Sequence, residues 1–345
     1  MSPEKAPHLA IAIAKAQQFP QETVLLLSTD PAHSLGDVML LSVDDVARSH
    51  PDAENLKIRA LDAERLLAQF KADYGNVLET LVERGSFVEN DDLSPVWDME
   101  WPGLNELMGL LEIQRILRAG EADRIIVDMA PSGHTLNLFG LMDFLDTLLD
   151  SLRMFQDKHR YMVESFSGQY AEDDADDFLE DMTQDLAAGR SQLQDPERTA
   201  CWVVAIPEPL SVSETERFIT ALGELNIPLG GILVNRLTGN AVQREQLAKF
   251  DQIAPQKSVL GLPLQATEPV GSDQLEALFS HLAQANTWQQ KTATDQPLTW
   301  PEPVFPGLTD FMDEGRRLVI LGGKGGVGKT TTAIHLACYF AQQSE

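Results

Sequence analysis

Short, uninterrupted apolar runs alternate along the chain with stretches whose apolar positions recur at helical spacing. The runs are Val24–Leu27, Leu56–Ala60, Arg124–Val127, Trp202–Ile206, Gly231–Val234, Ser258–Leu260 and Leu318–Leu321. They do not alternate apolar with polar, which is what strands buried on both faces of a parallel sheet require. The spacing predicts helices over 5–18, 62–84, 103–119, 137–157, 211–225, 240–250, 272–285 and 329–342. Strands alternating with helices in this way predict an α/β fold, doubly wound around a mostly parallel sheet.

Two stretches break the alternation. Residues 150–199 read as a polar helical insertion, and eight of the fourteen residues at 172–185 are acidic, a pattern expected of a solvated face or a mobile loop. Residues 286–316 read as a linker, because four prolines between 297 and 306 favour an extended spacer. The expected organisation is a unit over 1–285, the linker, and a strand, loop and helix over 317–345.

The two ends of the chain resemble each other. Aligning Ala341-Gln342-Gln343 on Ala16-Gln17-Gln18 places Ile334 on Leu9, Leu336 on Ile11 and Ala337 on Ala12. The helix over 5–18 therefore looks like a second copy of the helix over 329–342. The pattern fits a tandem protein that reaches into its second half, and it equally fits a circular permutation.

Charge and cysteine content narrow the function classes. The chain has 53 acidic and 26 basic residues, for a net charge of -27. Such a surface repels phosphate backbones and anionic lipid, so neither nucleic-acid binding nor membrane adhesion is expected. No apolar run approaches the roughly 18 residues of a membrane span, and Leu9–Ala14 is too short for the core of a signal peptide. The two cysteines, Cys201 and Cys338, form neither a disulfide framework nor a metal knuckle, so a cytoplasmic setting is expected.

The strongest chemical signal lies in "LVILGGKGGVGKTTTAIHLACYF". Gly323-Lys324-Gly325-Gly326-Val327-Gly328-Lys329-Thr330 fits the pattern G-x-x-x-x-G-K-[ST] between an apolar run and a helix. Glycines let backbone N–H groups close around phosphate oxygens, and the following helix presents its positive end. Lys329 is expected to neutralise β/γ-phosphate charge and the Thr330 hydroxyl to bind Mg2+, with Thr331 beside it, so ATP and magnesium are the expected cofactors. Lys324 reads either as a solvated loop charge or as a second cation on the phosphates, including those of a partner subunit.

Four further segments carry a family resemblance. "STDPAHSLGD" (28–37) and "DMAPSGHTL" (128–136) follow apolar runs, and "IPEPLSVSETER" (206–217) and "VNRL" (234–237) come later. With "KGGVGKT", the mark of a deviant phosphate loop found in nucleotide-bridged dimers, the chain resembles the ArsA family. That family comprises the arsenite-pump ATPase and the Get-pathway ATPase that escorts tail-anchored membrane proteins. The resemblance runs through nearly the whole chain in the family's order, apart from the displaced phosphate loop.

It implies a P-loop NTPase sheet carrying the helical insertion, and a homodimer or a tandem half as partner. By the same resemblance Asp30 would orient the attacking water and Asp128 would hold magnesium through water. Gly133 would approach the γ-phosphate with its backbone, and Asn235 would bond adenine. His33 and His134 read as switch-loop packing. The client would be a membrane-protein segment or a membrane transporter subunit.

The chain also departs from the family. Arsenic(III) and antimony(III) need several thiolates, and no thiolate cluster is evident; the C-x-x-C that ties a dimer through zinc in eukaryotic members is also missing. A Mg-dependent ATPase is therefore expected without arsenite dependence. A carrier of hydrophobic segments, and a fragment or pseudo-ATPase that binds nucleotide poorly, stand as alternatives. The carrier would use the apolar stripe Leu141, Met142, Phe144, Leu145, Leu148, Leu149, Leu152, Met154 and Phe155, although such a stripe is more often core. For the C-terminal segment, the first expectation is that 317–343 insert into their own chain, bringing Lys329 and Thr330 to Asp30 and Asp128. Helices 5–18 and 329–342 would then compete for one position. The second is that the segment starts another domain or enters a neighbouring chain.

Overall fold

The structure, a computed structural model, describes residues 6–29, 34–85, 104–129, 132–238 and 241–285. The chain divides into two units, and all of these residues belong to the larger, Glu4–Trp288. Asp30, His33 and everything from 286 onward, including the phosphate loop and Cys338, lie outside the described residues. The expectations for the linker and for the placement of 317–343 lie outside them too.

Eight strands form two four-stranded sheets among the described residues. In the first, β1 (Val24–Ser28) lies between β3 (Ala53–Ala60) and β4 (Arg124–Asp128), parallel to both, and β2 (Arg48–His50) pairs antiparallel at the far side of β3. In the second, β6 (Leu229–Leu237) lies between β5 (Cys201–Ala205) and β7 (Ser258–Pro263), again parallel, and β8 (Ala283–Gln284) closes the edge antiparallel. A single sheet was the simpler expectation. Here β4 and β5 each have one partner strand among the described residues; the run Leu318–Leu321, expected centrally beside the strands that lead to Asp30 and end at Asp128, is not among those residues, and those two strands pair directly with each other.

The continuous apolar runs follow from burial on both faces. On β1, Val24 and Leu26 face one way, into a core shared with Leu9, Ala12, Ile13 and Ala16 of helix α1 (Ala6–Gln18). Leu25 and Leu27 face the other way, toward Ile116 of α4 (Leu104–Arg118) and toward Leu61. The α1 core also takes Leu233 of β6, Leu262 of β7, and Leu275 and Leu278 of α9 (Ser272–Ser280), so one apolar cluster runs across strands of both sheets. On the opposite face of the second sheet, Ile232 and Val234 pack against Val212 of α7 (Pro209–Glu224) and against Leu247 and Phe250 of α8 (Ala241–Ile253). The strands of both sheets thus have helices on both faces.

The helical layer departs most from expectation. Between β1 and β2 lies a short helix, α2 (Ser34–Met39), which periodicity did not suggest. After α3 (Ala63–Gly85), helix α5 runs from Ser132 to Ser167, well beyond the expected 137–157, over about 54 Å at the usual rise. Gly168, at φ +74, then reverses the chain, the left-handed turn that glycine adopts without a Cβ penalty. The acidic run is the start of α6 (Asp174–Gln194), within the expected helical insertion; Asp174, Asp177, Glu180 and Asp181 are exposed, as on the solvated face expected, and the run is not a loop. Asp173 caps it by accepting from the Ala175 N–H at 3.1 Å, and Asp174, Asp176 and Asp177 sit in the first turn, where the helix dipole favours anions.

Ion pairs from neighbouring helices complete that arrangement: Arg84 to Asp173 at 2.6 Å and Arg160 to Asp176 at 2.9 Å. Burial alone would raise the Asp176 carboxyl. Hydrogen bonds from Tyr170, the Asp173 N–H and Arg160 outweigh it and hold the group at about 2. At Gly189 the end of the Gln114 side chain occupies the place a Cβ would take, so α4 and α6 approach closely there. The apolar stripe on α5 is chiefly core: Leu145, Leu148, Leu149, Leu152 and Phe155 pack with Leu81, Phe178 and Leu179. Met154 is 71% exposed, and the side chains of Leu141, Met142 and Phe144 lie outside those described. At the other end of the unit, α9 stops at Ser280, short of the expected 285, because Ala283 and Gln284 pair with β7.

Candidate functional site

The C-terminal ends of β1 and β4 come together in register, Ser28 opposite Asp128. Asp128 is 1% exposed and Ser28 2%. The Ser28 hydroxyl donates to Asp128 Oδ2 at 3.1 Å, and the Thr29 N–H donates to the Asp128 carbonyl at 3.0 Å. The backbone is thereby fixed up to the residue before Asp30. Leu61, just beyond β3, donates its N–H to the Ser28 carbonyl at 2.9 Å, so three adjacent strand ends are tied together. Ligands of open α/β sheets bind outside such ends.

Helix α4 braces this corner. A Cβ at Gly109 would stand 3.5 Å from Thr29 Cγ2, so the helix passes beside the end of β1. Glu112 on α4 accepts from Arg59 on β3 at 2.5 Å and from Arg115 at 2.8 Å, and Arg59 also donates to Asp45 at 2.8 Å. Arg59 and Glu112 are both buried. Burial would raise Glu112, but the Arg115 and Arg59 guanidiniums hold its carboxyl below the usual carboxylate range.

Gly133 is the second residue of α5, which starts four positions beyond β4, rather than a residue of a free turn. The first-turn N–H groups of a long helix lack carbonyl partners within it and suit an anion. The side chain of His134 is not among those described. In the second sheet Asn235 is 8% exposed at the end of β6, and its Oδ1 accepts from the Arg236 N–H at 2.8 Å. Arg236 adopts φ 60, a left-handed conformation uncommon for such a residue.

Of the expected site residues, Asp128, Gly133 and Asn235 are described, each at or just after the C-terminal end of a parallel strand. Asp30, Gly323, Lys324, Gly325, Gly326, Val327, Gly328, Lys329, Thr330 and Thr331 lie outside the described residues. The brace formed by Ser28, Arg59 and Glu112 went unrecognised in the sequence. Ser28 opens a quoted motif and could have been suspected, but nothing in the spacing joins Arg59 to Glu112.

For a metal, Asp128 offers a hard, buried carboxylate at a strand end, which suits magnesium held through water. Cys201 does not suit a soft metalloid. Burial pushes its thiol up to about 11, and the thiolate is the form that binds. Nucleotide hydrolysis is accordingly expected not to respond to arsenite or antimonite. Stimulation that disappears in a double Cys201→Ser, Cys338→Ser variant would overturn that expectation. Among the described residues no helix is long and apolar enough to cross a membrane.

Known proteins place these features in one group. A model of the anion-transporting ATPases matches residues 8–284, and a model of the CobQ/CobB/MinD/ParA nucleotide binding domain matches residues 318–345. An ATPase ASNA1 homolog of Babesia bovis is 31% identical over 233 residues, covering 66% of this chain and 62% of that protein. ATPase ARSA1 of Chlamydomonas reinhardtii is 27% identical over 366 residues, covering 96% of this chain and 45% of its own. ATPase GET3 of Malassezia globosa is 29% identical over 296 residues, covering 79% and 85%. The chain thus spans less than two thirds of the length of the first two relatives. Because the first model takes in β1, β4, β6 and every helix that braces them, the chain belongs to the anion-transporting ATPase family, ArsA_ATPase.

Proposed function

We propose that this chain is a magnesium-dependent ATPase in which nucleotide state is coupled to a conformational change through the segments after β1 and β4. The observation that carries the reading is the buried Ser28–Asp128 pair, which fixes two strand ends at the same level. In this reading Asp30 orients the attacking water, and positioning supplies most of the rate. Asp128 and Thr330 would hold the magnesium. Bound there, the ion would neutralise charge on the phosphates. Gly133 offers its backbone N–H to the γ-phosphate, and Asn235 bonds the adenine, since its amide carries both donor and acceptor.

Residues 323–331 form the phosphate loop, with Lys329 and Lys324 as its cations; the match of 318–345 to a nucleotide binding domain supports this. The unit 1–285, the linker 286–316 and the segment 317–345 stand as the proposed organisation. The segment either completes the unit by permutation or opens a second one. A homodimer or a tandem half is the proposed partner, in the cytoplasm. Turnover of Mg-ATP by the full chain, with Lys329→Ala as the control, tests the reading. Turnover that survives in Lys329→Ala, or no turnover in the wild type, would leave the pseudo-ATPase alternative standing.

A second reading, a carrier for hydrophobic membrane-protein segments, is favoured by the far half of α5. Met154, Tyr161, Met162 and Phe166 are exposed there, and Phe166 is 91% exposed. Residues so placed contribute little to core stability and suit contact with an apolar partner. Phe166→Asp combined with Met162→Asp is expected to reduce co-purification of a co-expressed apolar helix several-fold, with turnover unchanged. Equal recovery would remove this half of the helix from the carrier role.

A further inference from the structure

Asn235 does not sit at the end of a regular strand. The register between β6 and β7 shifts between Val234 and Leu237, so Asn235 and Arg236 fall inside an irregularity. Arg236 has φ 60, a conformation that a non-glycine residue keeps only where its surroundings enforce it. One side chain does much of the enforcing. Gln243, in the first turn of α8, spans the two arms of the bend. Its Oε1 accepts from the Thr238 N–H at 2.7 Å and from the Thr238 hydroxyl at 3.0 Å, and its Nε2 donates to the Arg236 carbonyl at 3.3 Å. Leu264, past β7, donates its N–H to the Leu237 carbonyl at 2.9 Å and holds the other side.

We propose that Gln243 is a positioning residue for base discrimination: by holding Arg236 in its left-handed turn, it fixes which way the Asn235 carboxamide faces. The proposal rests on the reading that Asn235 meets the base. With Arg236 so placed, its N–H points at Asn235 Oδ1 at 2.8 Å. A 180° flip of that amide would set the Nδ2 hydrogens against the Arg236 N–H, two donors face to face. The amide is therefore locked, with its oxygen and nitrogen on defined sides. A locked amide can distinguish a 6-amino purine, with a donor beside the N1 acceptor, from a 6-oxo purine, with an acceptor beside the N1–H donor. An amide free to flip accommodates both. Once the Gln243 bridge is gone, Arg236 relaxes toward a less strained φ, the lock opens and discrimination falls.

The experiment measures affinities of the full chain for Mg-ATP and Mg-ITP by displacement of a fluorescent ATP analogue, with kcat for ATP alongside. The wild type is expected to prefer ATP. Gln243→Met keeps the bulk of the side chain and loses all three bridging contacts. It should lower the ATP/ITP ratio at least about fivefold, the worth of a hydrogen bond or so, with kcat for ATP within about twofold. Gln243→Ala, tolerable at this half-buried position, should give the same drop. Gln243→Glu keeps the acceptor contacts to Thr238 but sets a carboxylate oxygen against the Arg236 carbonyl in place of the donating amide, and should lower the ratio as the other two variants do. An unchanged ratio in Gln243→Met and Gln243→Ala overturns the proposal, as does an equal fall in affinity for both nucleotides. Asn235→Ala separates the two layers. If it abolishes the preference while the Gln243 variants keep it, only the positioning role falls. If Asn235→Ala keeps the preference, or if the wild type shows none or binds neither nucleotide, the Asn235 assignment falls and the proposal with it.

Discussion

Asp30→Asn is expected to leave ATP affinity near that of the wild type and to cut turnover by about two to four orders of magnitude, the usual worth of a positioned general base. The exchange is isosteric, so the chain after β1 keeps its shape. On the proposed role, what would change is the ability of the side chain to accept a water proton and to orient the water's lone pair toward phosphorus. An interaction made only in the transition state is lost from kcat and not from binding. The backbone leading to Asp30 is held independently of its side chain, through Thr29 N–H to Asp128 at 3.0 Å and Leu61 N–H to Ser28 at 2.9 Å. Loss of turnover in the variant would therefore report on the carboxylate and not on a collapsed strand end. Equilibrium binding together with single-turnover hydrolysis separates the two effects. Lys329→Ala should differ by losing affinity as well, because in the proposed site its cation would meet the phosphates in both ground and transition states. Turnover near wild type in Asp30→Asn would remove Asp30 from the mechanism.

The second large effect is expected at Glu112. Glu112→Ala leaves the buried Arg59 guanidinium with Asp45 at 2.8 Å but without its other carboxylate partner. Removing one member of a buried ion pair costs on the order of 3 kcal/mol, because an uncompensated charge remains in a poorly solvated place. The denaturation midpoint should fall with little change in slope, since the surface exposed on unfolding stays similar. A midpoint unchanged from wild type would show that Arg59 is adequately paired by Asp45 alone.

The same site carries a pH dependence of definite sign. Burial works to raise Glu112, but Arg115 and Arg59 lower it further, so its folded value lies below its unfolded one. Its contribution is then fully present above the unfolded value of about 4.3 and is lost as pH falls through the folded value. The stability advantage of wild type over Glu112→Gln should be constant above the unfolded value of about 4.3 and shrink progressively as pH falls below it.

Much of this protein was legible in its residues taken in order. The apolar runs at 24–27, 56–60, 124–127, 202–206, 231–234 and 258–260 became strands because a strand buried on both faces needs apolar side chains at every position. The motifs ending those runs marked Asp128 and Asn235, since in a parallel sheet all strand ends of one sense gather on one side. What the sequence could not supply were arrangements that depend on distant segments. At the acidic run the capping box of Asp173 and Asp176 is local, but the ion pairs that Arg84 and Arg160 bring to its first turn come from other helices. Helix α5 continues past 157 because its polar half has α6 to pair with, through Arg160 and Asp176. The end of the helix predicted over 272–285 yields to a strand where Gly261 leaves room for the returning chain: a Cβ there would stand 2.3 Å from Leu237 and 3.3 Å from Ala285. The grip of Gln243 on the Asn235 bend likewise exists only where α8 starts beside the end of β6. Local periodicity follows from which faces of a segment are buried, and that is written in the segment itself. Caps, braces and bends follow from which segments meet, and only the folded chain brings those together.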